Sequence, residues 1–159
     1  MTLKIGIIGA GTVVRVRHLP ETQSCPDAEV GAICDVVEAR AKEMGEQYHC
    51  KAYTDYRDLV QDPDLDAVIV AATNTTHAEM SIAALKAGKH VMCEKPMATT
   101  LEDARAMIAA ARESGKQLMI AHNQRLEPAN VKAREILQSG RLGKVLTFTS
   151  VFGHPGSED

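Results

Sequence analysis

Short apolar runs alternate along the chain with longer stretches whose apolar residues return every third or fourth position, the pattern expected when strands and helices follow one another. The first run, Leu3 to Ile8, stops at Gly9 and leads into a segment able to open a helix, so it reads as strand, tight turn, helix. Further strands are expected at Glu29 to Cys34, near Ala52, and at Asp66 to Ala71, His90 to Cys93 and Gln117 to Ala121. Helices are expected over Glu38 to Tyr48, Thr76 to Ala87, Leu101 to Ser114 and about Pro128 to Ser139. In the Leu101 helix, Leu101, Ala104, Ile108 and Ala111 share one face, Thr99 and Glu102 are placed to form a capping box, and Gly115 follows the end. Gly88 and Gly140 stop two other helices in the same way.

Ala67 to Ala71 is apolar at every position, as befits a central parallel strand covered by helices on both faces. Strands alternating with helices predict βαβ units and an α/β fold with a doubly wound, mostly parallel sheet of the Rossmann kind. Lys144 to Phe152 alternates in part and reads as a strand of a second sheet, with no evident partner before Asp159. The expected organisation is therefore a doubly wound α/β domain over residues 1–122. Residues 123–159 would form a linking helix and the start of an incomplete α+β domain.

Composition narrows the function. Over 159 residues, 45% hydrophobic and 25% charged residues suit a folded domain with a sizeable core. A net charge of -3 with scattered lysines and arginines gives no electrostatic reason to expect nucleic acid or an anionic membrane as partner. Aromatic residues at 3% and the absence of Trp argue against a stacking platform for single strands. No apolar run approaches the roughly 18 residues of a membrane span, and the N-terminus lacks the layout of a secretory signal, so the cytoplasm is the expected compartment. Cys25, Cys34, Cys50 and Cys93 show no CxxC pair. They read as reduced thiols, and no metal site is expected.

Candidate chemistry gathers after the strands. Gly9-Ala10-Gly11-Thr12-Val13-Val14 fits GxGxx, in which Gly9 permits a tight turn and Gly11 lets a pyrophosphate approach backbone amides, including those of Thr12 and Val13, at a helix N-terminus. The alternative is an ordinary glycine turn. Val14 stands where Gly or Ala usually allows close helix packing. Asp35 ends the second strand at the spacing of the acidic residue that binds the adenosine ribose, which favours NAD over NADP, although Arg40 is close in sequence. A helix N-cap is the other reading of Asp35. The loop Ala71-Ala72-Thr73-Asn74 follows a central strand, and its backbone is placed to line a dinucleotide. His77 is either a cofactor contact or a polar residue at a helix start. Glu94-Lys95-Pro96 and His122-Asn123-Gln124-Arg125 close two further strands; locally, Lys95 reads as a solvated surface residue and Arg125 as a partner of Glu127 or of a hydroxylated substrate.

These motifs, taken in order, resemble the glucose-fructose oxidoreductase, inositol dehydrogenase and rhizopine-catabolism (Gfo/Idh/MocA) family of dehydrogenases. The likeness rests on Gly6-Ile7-Ile8-Gly9-Ala10-Gly11 with His18-Leu19-Pro20, Cys34-Asp35-Val36, Asp66-Ala67-Val68-Ile69-Val70, Ala87-Gly88-Lys89-His90-Val91, Glu94-Lys95-Pro96, and Asn123-Gln124-Arg125 with Glu127-Pro128. It covers essentially the whole chain. It implies a two-domain enzyme, homo-oligomeric at full length, with an NAD(P)-binding Rossmann domain over residues 1–122 and the start of a substrate and dimerisation domain in 123–159, in which NAD or NADP exchanges hydride with a secondary alcohol of a sugar, cyclitol or related polyol. It also makes Lys95 the catalytic residue, bonded to the reacting oxygen, and sets Asn74, His77, Glu94, Asn123 and Arg125 near cofactor or substrate. The usual His and Asp partners would lie in a second domain beyond these residues. His154 is not taken as their substitute, so this chain is expected to bind cofactor without useful turnover. A free-standing dinucleotide-binding or redox-sensing module acting with a partner chain, and a non-catalytic scaffold, are the alternatives.

Overall fold

The computed structural model describes residues 2–151 and 153. The chain divides into two units, Met1–His122 and Asn123–Asp159. The first is built on six parallel strands: β1 (Leu3–Ile8), β2 (Ala28–Cys34), β3 (Lys51–Tyr53), β4 (Ala67–Val70), β5 (His90–Cys93) and β6 (Leu118–Ile120). Their order across the sheet is β3-β2-β1-β4-β5-β6. The chain starts in the middle, runs to one edge, returns beside β1 and runs to the other edge. That reversal leaves a crevice at the carboxyl ends of β1 and β4, the place where open α/β sheets bind ligands.

Alternate strand residues enter two different cores, because successive side chains of a strand point to opposite faces. Ile7, Ile33 and Ile69 pack with Val14, with Leu19 of α1 (Leu19–Ser24) and with Met44 of α2 (Glu38–Tyr48). On the other face, Ile8, Cys34, Val68, Val70 and Cys93 pack with helices α3 (Tyr56–Gln61), α4 (His77–Lys86) and α5 (Leu101–Ser114) through Leu59, Leu85 and Met107. Each fully buried aliphatic side chain of this kind stabilises the fold by roughly 1.5–3 kcal/mol. The central position expected for the apolar β4 run is the observed one.

Several local expectations change. Helix α3 carries no periodic signal because it is too short to repeat a face; the Asp55 carboxylate opens it by accepting the Arg57 amide at 2.8 Å, and Leu59 and Val60 are its buried residues. The Thr99–Glu102 capping box is displaced by one residue. Since α5 begins at Leu101, the cap is Thr100, whose hydroxyl accepts the Asp103 amide at 3.0 Å and donates to the Asp103 carboxylate at 2.7 Å. Gly88, Gly115 and Gly140 all adopt positive φ, as helix-terminating residues do. The helix after the glycine loop is not a regular α-helix at first. Over Val14–His18 it widens into a π-turn, with the Leu19 amide reaching back to the Val14 carbonyl, and Val14 is fully buried there.

In the second unit a short 3-10 turn (Asn123–Leu126) precedes α6 (Pro128–Gln138), which opens on a proline. The strand expected over Lys144 to Phe152 is absent from the described residues: 145–151 and 153 carry no regular secondary structure. An extended segment becomes a strand only when a neighbour takes up its amides and carbonyls. Phe152 and His154 lie outside the described residues.

Candidate functional site

Backbone hydrogen bonds carry the sheet ladder past the ends of the strands and so gather the loops at one edge. The Gly9 amide donates to the Cys34 carbonyl at 2.7 Å, the Ala71 amide to Ile8 at 2.8 Å, and the Glu94 amide to Val70 at 2.8 Å. Gly9, Asp35, Ala72 and Glu94 therefore share the carboxyl edge.

The two glycines of the first loop differ in what they require. At Gly9 φ is +103°, and an added Cβ would lie 2.4 Å from the Ala71 carbonyl oxygen, so the turn against β4 excludes any side chain. At Gly11 an added Cβ would meet nothing within 4 Å. The protein's own packing does not need that glycine, and the open space beside it is what a close-approaching ligand requires. Thr12 and Val13 follow, both exposed, where the helix begins.

Asp35 braces this loop. One carboxylate oxygen accepts the Ala10 amide at 2.8 Å and the other accepts the Val37 amide, also at 2.8 Å. The N-cap position of α2 belongs to Val37, so the side chain makes an Asx-type turn before the helix and does not cap it. A carboxylate has about four acceptor sites, so two such bonds leave capacity for ribose hydroxyls. Arg15, which no sequence signal singled out, adds a second brace: its Nε donates to the Ala10 carbonyl at 3.0 Å and its guanidinium pairs with Glu43 of α2 at 3.0 Å.

After β4, Asn74 opens an exposed 3-10 turn, Asn74–Thr76. His77, expected either as a cofactor contact or as a polar residue at a helix start, is buried. Its ring is 1% exposed, with Nδ1 2.8 Å from the Pro96 carbonyl and Nε2 3.1 Å from the Ala72 carbonyl. A carbonyl only accepts, so the ring nitrogen that carries the proton donates to one of these oxygens, and the ring lies between the loop after β4 and the loop after β5.

Lys95 is exposed in the turn after β5, and the Lys95–Pro96 peptide is cis. Glu94 is turned inward. Its Oε2 accepts the Lys95 amide at 3.1 Å, and its Oε1 lies 2.9 Å from His18 Nε2. The side chains of His18 and Glu94 are 10% and 15% exposed. His18 was present in the sequence motif, but no local pattern tied it to Glu94. Asn123 and Arg125 lie on the exposed 3-10 turn of the second unit.

The cysteines near this edge are closed to chemistry. Burial, with the Asp35 charge beside it, pushes the Cys34 thiol up to about 12, and burial also raises Cys93. Among the described residues no group of three or more His, Cys, Asp or Glu side chains is placed to hold a metal ion, and no helix is long and apolar enough to cross a membrane.

Residues 3–122 match the family model described as an oxidoreductase family with an NAD-binding Rossmann fold, Gfo/Idh/MocA. An inositol 2-dehydrogenase from Salmonella paratyphi B is 40% identical over 151 residues, covering 92% of this chain and 44% of the relative. A 1,5-anhydro-D-fructose reductase from Ensifer adhaerens is 41% identical over 139 residues, covering 87% and 42%. Among solved structures, a 3-ketoreductase from Actinomadura kijaniata in complex with TDP-benzene and NADP superposes with a TM-score of 0.82 at 34% identity, over 88% of this chain and 44% of that one. The chain thus spans less than half the length of these relatives. The ketoreductase structure contains NADP, so the expected preference for NAD over NADP is not upheld by the comparisons; the coarser NAD(P) statement is.

Proposed function

This chain belongs to the Gfo/Idh/MocA family of oxidoreductases, and on that premise we propose that it is the dinucleotide-binding part of an enzyme that moves hydride between NAD(P) and a secondary alcohol of a sugar, cyclitol or related polyol. The observation that carries the reading is the open space at Gly11, next to a Gly9 that the fold itself demands. That asymmetry, in the loop between β1 and its helix, supports a second glycine that leaves room for a ligand. The names of the relatives, an inositol dehydrogenase and an anhydrofructose reductase, support the substrate class.

In this reading Gly9 makes the tight turn beside the cofactor, the backbone of Gly11, Thr12 and Val13 holds the pyrophosphate at a helix N-terminus, and Asp35 binds the adenosine ribose. Ala72 and Asn74 line the dinucleotide, and Glu94 and Lys95 stand at its nicotinamide end. Asn123 and Arg125 enter as cofactor contacts on the sequence resemblance. The nicotinamide supplies hydride acceptance or donation. Lys95 hydrogen-bonds the substrate oxygen and eases the transfer of its proton, which the resemblance gives to a His outside these residues. Substrate must also be fixed in near-attack geometry, and we assign that task to the part of the relatives' length that this chain does not span. The 159 residues alone then bind cofactor without turnover. The same reading, through the resemblance, makes the full-length enzyme homo-oligomeric.

Asp35 opposes a 2′-phosphate electrostatically, while Arg40 in the first turn of α2 would attract one. Thermal melts without ligand, with NAD and with NADP test both points. Ligand at about 100 times its dissociation constant adds roughly 2.7 kcal/mol to native stability, so a clear rise in melting temperature is expected with at least one dinucleotide. The larger rise identifies the cofactor, and no rise with either from a folded protein defeats the proposal.

A further inference from the structure

His18 sits at the end of the π-turn that follows the glycine loop, and its side chain is nine-tenths buried against Glu94. Glu94 follows β5, on the far side of β4 from β1. The two residues are 76 apart in sequence and meet at 2.9 Å. An ionised carboxylate only accepts hydrogen bonds, so the ring Nε2 donates to Oε1 while the Lys95 amide donates to Oε2 at 3.1 Å. Glu94 is thereby held at both oxygens, once by the helix that begins at the dinucleotide loop and once by the backbone of the proposed catalytic lysine.

The π-turn explains how His18 comes to be there. A π-turn contains one residue more than an α-turn, and such insertions re-aim the side chains that follow them. Here the Leu19 amide reaches back five residues to Val14, and the residue at the end of that widened turn is the one directed at Glu94. Glu21 on α1 pairs with Arg17 at 3.3 Å, both exposed.

We infer that His18 is a positioning residue for Lys95: it fixes the Glu94 carboxylate and so couples the glycine-loop helix to the turn that carries the lysine. The inference rests on the dinucleotide reading given above. A dinucleotide bound at the glycine loop then acts through His18 and Glu94 on the turn that carries Lys95, and the lysine is held in place in the bound state.

The test uses the full chain and two readouts: NADH or NADPH binding by nicotinamide fluorescence, and the rate at which acetic anhydride acylates the Lys95 amine, mapped by mass spectrometry with and without saturating dinucleotide. In the wild-type chain, bound dinucleotide should slow acylation of Lys95 by about tenfold, the scale of one hydrogen bond to a charged group. His18→Phe keeps the buried ring and removes the hydrogen bond. It should still bind dinucleotide, yet Lys95 should be acylated at nearly the same rate in both states. His18→Gln restores a donor and should recover most of the protection. Should His18→Phe not fold, His18→Asn, too short to span the same contact, replaces it. If Lys95 in the variant without the hydrogen bond is protected at saturation as fully as in the wild type, the inference is overturned and His18 is structural only. If the wild-type chain binds neither dinucleotide, the cofactor reading itself fails and this inference falls with it, a result distinct from the first.

Discussion

At Gly9 an added Cβ would come within 2.4 Å of a backbone oxygen, whereas at Gly11 it would meet nothing within 4 Å. The two substitutions should therefore separate. Gly9→Ala should cost at least ~2 kcal/mol, or prevent folding, because it adds a backbone clash to an unfavourable φ. Gly11→Ala should melt within a few degrees of the wild type and lose dinucleotide binding, and circular dichroism melts beside fluorescence titration check both. The sequence marks both glycines equally; only the neighbouring strand makes them different. Cysteine chemistry is also a residue-scale matter. A thiol pushed up to about 12, as at Cys34, is almost wholly protonated at pH 8, and the thiolate is the reactive form. Iodoacetamide should modify the exposed Cys25 first and reach Cys34 and Cys93 only on unfolding, which peptide mapping across a urea series would show.

Two contacts between and within elements repay measurement. Thr100 caps α5 through its bond to the Asp103 amide, and Thr100→Ala should lower stability by about 1 kcal/mol while Thr99→Ala leaves it nearly unchanged. Parallel denaturation curves would distinguish the two threonines, which sequence spacing could not do, since the register of a cap depends on which residue starts the helix. Asp62, at the end of α3, has a side chain 1% exposed and accepts Lys51 at 2.9 Å, Tyr53 at 3.0 Å and the Asp64 amide at 3.0 Å. Burial acts to raise its carboxyl, but the hydrogen bonds from Lys51, the Asp64 amide and Tyr53 outweigh it and hold the group below the usual carboxylate value. A group depressed in the folded state stabilises it above the unfolded value of about 4 and ceases to do so as pH falls through its lower folded value. The stability gap between wild type and Asp62→Asn should accordingly be full at pH 6 to 7 and shrink below about pH 4. A gap that stayed constant down to pH 2.5 would show that the carboxylate charge contributes nothing. None of the Asp62 partners was legible beforehand, because they come from β3 and from the loop beyond α3.

For the sheet as a whole, β1 and β4 have partners on both sides and helices on both faces, while β3 and β6 form its edges. Amide exchange should be slowest in β1 and β4 and faster in β3 and β6, since the central strands open only with the whole domain; uniform protection across the six would contradict the packing described. The alternation of strands and helices, the central β4, the three glycine stops and the glycine loop were all determined by the sequence alone, because periodicity and backbone preference act over a few residues. The π-turn, the short α3 and the precise start of α5 were not, since each is decided by what packs against it. The same division runs through the candidate site. Gly9, Gly11, Asp35 and Lys95 stand where strands end, and that much is local. That His77 turns to the Ala72 and Pro96 carbonyls, and that His18 meets Glu94 across β4, was settled only by the tertiary structure: the order of strands in a sheet brings distant residues together, and no pattern within either segment encodes its neighbour.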